Sequence, residues 1–155
     1  MKHIITYFLA SAFLLTIFLM PSCSKESVPY DTPFIHINFE NKSVIDVLSN
    51  RKDTVNYMVY LSSQLLFEPV DVQYEIKLGD GLQEGRDFVL LNKTNTLTFP
   101  QGIFERPIRI AWKDIPVDPA KDNRLTISLI SNSKNFILGF PGPDQLQKQL
   151  VITKK

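Results

Sequence analysis

From Pro33 onward the chain alternates apolar and polar positions. Ile35, Ile37 and Phe39 alternate with His36, Asn38 and Glu40, and Val55, Tyr57, Val59 and Leu61 with Asn56, Met58 and Tyr60. Val72, Tyr74, Ile76 and Leu78 stand against Asp71, Gln73, Glu75 and Lys77. Ile108, Ile110 and Trp112 alternate with Arg109 and Ala111, and Leu125, Ile127 and Leu129 with Thr126 and Ser128. A period of two with one apolar face marks a half-buried strand. Val44 to Leu48, Asp87 to Leu91, Thr96 to Phe99 and Gln149 to Thr153 are shorter candidates of the same kind. Turn chemistry separates these runs at Gly79-Asp80-Gly81, Pro100-Gln101-Gly102, Asp118-Pro119 and Pro141-Gly142-Pro143. No stretch of about ten residues beyond the first 22 shows helical spacing. The pattern predicts an all-β antiparallel sandwich of seven to nine strands, with polar outer faces turned to water. Trp112, on the same face as Ile108 and Ile110, is expected in the core.

The first 22 residues follow a different rule. Lys2 and His3 precede an apolar run from Ile4 to Met20, closed by Pro21-Ser22-Cys23. A basic start, an apolar middle and small residues before the cut make an export signal. The run includes Thr6, Ser11 and Thr16 and is at the short limit for a membrane span. Cys23 is the single cysteine of the chain, so it has no intrachain disulfide partner. Leu19-Met20-Pro21-Ser22-Cys23 resembles the lipobox of bacterial lipoproteins, departing from its tight form at Met20 and Pro21. The resemblance implies acylation of Cys23, with chains whose burial at about 0.8 kcal/mol per CH₂ gives stable membrane anchoring. Ser24-Lys25-Glu26-Ser27 is similar to the short tract after the lipid cysteine in Bacteroidota-type surface lipoproteins, with one acidic residue where a pair is usual. That implies an outer-membrane location facing the cell exterior. The domain organisation expected is a signal peptide over 1–22, a lipidated cysteine and flexible tether over 23–32, and a β-sandwich over 33–155.

Charge narrows the partners. The chain carries 17 basic and 16 acidic residues; Lys2 leaves with the signal, so the mature chain is neutral. Without a basic cluster, nucleic acid is not expected as a partner, and no polybasic patch reinforces membrane binding.

The stretch from Glu84 to Ile152 resembles the Calx-beta family in motif order. Glu84-Gly85-Arg86-Asp87-Phe88 is similar to the family's Gly-x-Asp-Tyr/Phe motif. Thr96-Leu97-Thr98-Phe99-Pro100-Gln101-Gly102 follows as a Leu-Thr-Phe-x-x-Gly turn. Pro107-Ile108-Arg109-Ile110, Leu125-Thr126-Ile127-Ser128-Leu129, Gly139 and Leu150-Val151-Ile152 complete the order. The resemblance implies an immunoglobulin-like sandwich. The residues of the motif have their own physical reading. Asp87 can accept backbone N–H bonds and fix its loop. Gly102 permits a positive φ at a turn. Phe88 and Phe99 are expected to pack into the sandwich end.

Some Calx-beta domains hold calcium, which takes six to eight oxygens. The family's doubled aspartate and glutamates are missing here. Asp87, Asp114, Asp118 and Asp122 are the weak calcium candidates, expected rather to be solvated loop acids, and no cofactor is expected. Catalytic groupings are sparse. The mature chain has one histidine, His36, placed on the polar face of its strand and expected at the surface. No second histidine or free cysteine completes a zinc site, and no Gly-x-Ser-x-Gly elbow supports a serine nucleophile. An enzyme is not expected. Asp53-Thr54-Val55 resembles a three-residue O-glycosylation site, although a turn leading into a strand is the preferred reading.

Small sandwich lipoproteins of this type often accompany outer-membrane sugar importers, so the resemblance implies a non-catalytic glycan-binding or accessory role. Sugar rings stack on exposed aromatics, and the candidates are Tyr60, Phe104, Phe136 and Phe140. The alternative is a structural or adhesion module that binds another envelope or host protein through an edge strand.

Overall fold

The structure, a computed structural model, describes residues 32–155. The signal segment 1–22, Cys23 and the tether as far as Asp31 lie outside the described residues. Among the described residues every regular element is a strand: β1 (Phe34–Asn38), β2 (Val44–Val47), β3 (Thr54–Ser62), β4 (Val70–Leu78), β5 (Phe88–Leu90), β6 (Thr96–Phe99), β7 (Glu105–Trp112), β8 (Arg124–Asn132), β9 (Ile137–Leu138) and β10 (Gln149–Lys154). They form two five-stranded sheets, ordered β5-β7-β3-β1-β9 and β2-β10-β8-β4-β6. The inner faces of both sheets meet in one core.

Period-two patterning explains which residues that core takes. Val55, Tyr57, Val59 and Leu61 of β3 are buried, as are Ile108, Ile110 and Trp112 of β7 and Ile35 and Ile37 of β1. The opposite sheet supplies Val72, Tyr74, Leu125, Ile127, Leu129, Leu150 and Ile152. Each fully buried aliphatic or aromatic side chain contributes about 1.5–3 kcal/mol. The Trp112 indole donates to the Tyr57 hydroxyl at 3.0 Å, so both buried polar groups are satisfied. Burial pushes Tyr57 up to about 12, against the opposing effect of the Trp112 bond. Phe88 and Phe99 are buried as expected.

Three expectations need correction. There are ten strands rather than seven to nine; β9 has two residues and is too short for periodicity to mark. The sheets are not wholly antiparallel either: β9 runs parallel to β1, and β2 parallel to β10. Alternation reports a strand's faces but not its direction relative to a neighbour. Finally, Leu78, read as the last inward residue of β4, is exposed at the sheet end.

A β-bulge explains a further break in the pattern. Opposite β4 the pairing steps from Tyr74–Leu129 to Gln73–Ser131, leaving Ile130 as the extra residue. Ile130 keeps the outward parity of Ser128 and is 49 % exposed, while the bulge turns Ser131 outward as well, where its hydroxyl donates to Gln73 Oε1 at 2.9 Å. Past the bulge, the Asn132 side chain accepts from Phe136 N at 2.9 Å and donates to Phe136 O at 2.8 Å, closing the turn into β9.

The far end of the sandwich, away from the start of β1, is held by a buried charged group. Asp87 Oδ2 accepts from Gln83 N and from Arg86 Nε, both at 2.8 Å. This is the loop-fixing role its sequence position suggested. Lys154, on the inward face of β10, donates to the Lys113 carbonyl at 2.9 Å and approaches Asp87 Oδ1 at 3.8 Å. Burial holds its pKa below the usual lysine value while Asp87 opposes that shift. The loops bearing these residues press closely together. Gly81 N donates to Asp122 O at 2.9 Å, and a Cβ at Gly81 would collide with the Asn123 side chain. Removing Asp87 leaves Lys154 buried without a carboxylate, so Asp87→Ala should cost about 3–5 kcal/mol in urea unfolding. Lys154→Met should cost distinctly less, because Arg86 and Gln83 still hold Asp87; equal losses would contradict this account.

Candidate functional site

The outer face of β1 and β3 carries aromatic side chains at the end where β1 begins, Phe34 and His36 from β1 and Tyr60 from β3. Inward Ile35 and Ile37 force Phe34 and His36 outward. The antiparallel register places His36 opposite Tyr60, where side chains on one face lie in direct contact. The fourth ring comes from the chain after β9. Gly139, with φ of 85°, turns the backbone, its N–H bonding the Ile35 carbonyl at 2.7 Å. Phe140 N then bonds the Leu146 carbonyl at 2.8 Å. The loop thereby folds back and lays Phe140 on the sheet.

His36 lies at the centre of this group. Its ring stacks on Phe140 at 4.7 Å and 27°, and on Tyr60 at 5.5 Å and 22°. Phe34 is tilted against His36 at 5.4 Å and against Phe140 at 5.6 Å. Phe34, Tyr60 and Phe140 are half-buried, whereas His36 is only 9 % exposed. The expected surface histidine is therefore a buried one. Alternation placed it correctly on the outward face, but the loop that carries Phe140 over that face leaves no periodic signal. Burial lowers the His36 pKa, and its Nδ1 has no hydrogen-bond partner among the described residues.

The structure thus brings together two of the aromatic candidates, Tyr60 and Phe140, and adds Phe34 and His36. Phe136 is half-buried against the core. Phe104 precedes Glu105, the partner of Tyr60, and so falls on the opposite parity, in the β6–β7 turn at the end of the sandwich. Phe34 and His36 were the residues sequence reasoning passed over. Their spacing of two is visible in the chain, but their meeting with Phe140 is not.

The four acidic candidates lie in loops at the far end, and three of them are in local contacts of their own. Asp118 accepts from Ala120 N at 3.0 Å, and Asp122 is bidentate to Arg124 at 2.7 and 2.8 Å. Asp87 is occupied as described above, and Asp114 lies in the loop after β7. Among the described residues no three of His, Cys, Asp and Glu are arranged to hold a metal ion. A separate groove of about 360 Å³ between the edges of the sheets is lined by Lys93, Arg106 and Arg109. Thr54 is exposed at the start of β3.

No protein-family model matches the chain, and no curated protein matches it in sequence.

Chemically, the cluster offers three half-open ring faces around a neutral imidazole. The open ring faces can stack on a flat, weakly polar ligand. The imidazole also gives the fold a pH dependence. Unfolded, His36 titrates near 6.5; folded, it titrates lower. Below 6.5 the unfolded chain binds a proton that the folded chain refuses. Stability is therefore full above that pH, falls as the pH drops through it, and levels off below the folded value. Because His36 is the sole histidine after residue 22, its NMR titration is unambiguous and should have a midpoint below 6.5. His36→Phe should lessen the loss of stability as the pH falls below 6.5; a midpoint above the ordinary value would contradict the burial.

Proposed function

We propose that this chain is a lipid-anchored outer-membrane protein, facing the cell exterior, whose Calx-beta-like, immunoglobulin-like sandwich binds a glycan without catalysis as an accessory of a glycan-uptake system. One observation carries the reading. Tyr60 and Phe140, distant in sequence, converge around His36 on one outward sheet face. Aromatic faces stack on the C–H faces of pyranose rings, and the half-buried rings of Phe34, Tyr60 and Phe140 leave such faces open around the buried His36. The lipobox-like segment ending at Cys23 supports the anchoring.

Strand geometry weighs against the alternative of partner binding by edge pairing. The four edge strands β5, β9, β2 and β6 have three, two, four and four residues. Edges this short offer few free backbone groups to an added strand.

Native affinity gels cast with plant, host and microbial polysaccharides test the reading on the chain from Ser24 onward. One glycan should retard it. The Tyr60→Ala and Phe140→Ala variants should each bind about tenfold or more weakly, as expected for central aromatic contacts. Retardation that survives both changes, or none on any glycan, would sink the proposal. Independently, Cys23→Ser should move the protein from the membrane fraction to the soluble one, and an unchanged distribution would contradict the lipid anchor.

A further inference from the structure

Ten large hydrophobic side chains are well exposed among the described residues, and four of them belong to two neighbouring loops. Phe67, the most exposed at 81 %, and Leu65, at 55 %, lie on the β3–β4 loop; Ile103 and Phe104 lie on the β6–β7 turn. The sheet pairing puts both loops at one end. Leu61 N bonds the Phe104 carbonyl at 2.8 Å, so the β6–β7 turn abuts the chain where β3 runs into its loop. Gly102, with φ of 76°, makes the turn tight and projects Ile103 and Phe104 beyond the strands.

The same end receives the N-terminal chain. Phe34, the first residue of β1, pairs with Ser62, the last of β3. The segment from Ser24 to Pro33 therefore joins the sandwich beside these loops. Ten residues reach at most about 35 Å when extended and about 17 Å on average as a flexible chain. The covalent chain thus keeps Cys23 within about 40 Å of Phe34.

Charge is arranged to suit an apolar surface. Across 63–69 and 100–104 the single charged side chain is Glu68, and Lys134 forms an ion pair with it. The tip is neutral and apolar, with the pair at its rim.

We propose that the loop end bearing Leu65, Phe67, Ile103 and Phe104 docks into the lipid interface of the membrane that holds Cys23. The inference rests on the lipid-anchor part of the proposed function and not on glycan binding. The tether keeps the loops at high effective concentration near the bilayer, so even a weak partition is realised. The two surfaces do not compete: the loops point along the strand axes, and the aromatic cluster faces sideways from the first sheet.

The test uses the full chain, processed and acylated in a bacterial host, in vesicles of phosphatidylethanolamine and phosphatidylglycerol. Trp112 is buried and should be indifferent to lipid. Phe67→Trp and Ile103→Trp each add a reporter at the tip. With brominated acyl chains, emission from either reporter should fall by about half, as for side chains buried some 5–10 Å into the interface. Adding Leu65→Ser and Phe67→Ser to the Ile103→Trp chain should abolish that quenching while the urea unfolding midpoint stays in place. Mass spectrometry of the N-terminal peptide separates the two levels of failure. An acylated Cys23 with unquenched reporters overturns the docking and leaves the lipid anchor standing; an unacylated Cys23 overturns the anchor and the docking with it. Crosslinks from position 67 to an envelope protein, with unquenched reporters, would reassign the tip to a protein partner and overturn the proposal.

Discussion

The register of β1 against β3 is the constraint on which the rest depends. It places Ile35 opposite Leu61 and Ile37 opposite Val59, all buried, and in the same stroke sets His36 opposite Tyr60 on the outer face. A slip of one residue would send two isoleucines to water and bring Phe34 and His36 into the core. The hydrophobic cost of that exchange fixes the register, so core packing positions the candidate site. The aromatic cluster is rigid because its floor is the sheet and its lid, Phe140, is bonded back to that sheet through Gly139.

The two ends of the sandwich are built differently. At the far end, polar contacts knit the loops: Asp87 and Lys154 form a buried charged pair that the exposed Arg86 joins through Asp87, and Asp122 and Asp80 tie the β7–β8 and β4–β5 loops together. Buried charges of this kind contribute little net stability but are costly to break singly, so they favour one loop arrangement over others. Among the described residues the tether end has no buried charged pair, and its β3–β4 and β6–β7 loops present apolar side chains. The contrast gives the domain a closed pole and an open one, with the proposed glycan face on the wall between them.

Much of this was legible in the chain. Nine of the ten strands coincide with alternating segments, and Trp112, Phe88, Phe99, Asp87 and Gly102 stand as their local chemistry suggests. What was not legible is long-range. The parallel pairing of β1 with β9 needs only two residues of β9. The bulge that turns Ser131 outward belongs to two strands at once. The burial of His36 depends on a ring more than a hundred positions away. Tyr60 and Phe140 could be picked singly as exposed aromatics, but their convergence follows from the Gly139 turn and the β1–β3 register, neither of which has a periodic signature.

The most direct measurement is an NMR titration that follows the side-chain resonances of His36 and the rings of Phe34, Tyr60 and Phe140 as a retarding polysaccharide is added. Glycan binding at the β1–β3 face predicts that these four shift together and that the buried Trp112 indole stays still. Shifts confined instead to Lys93, Arg106 and Arg109, with the aromatic cluster unmoved, would contradict it.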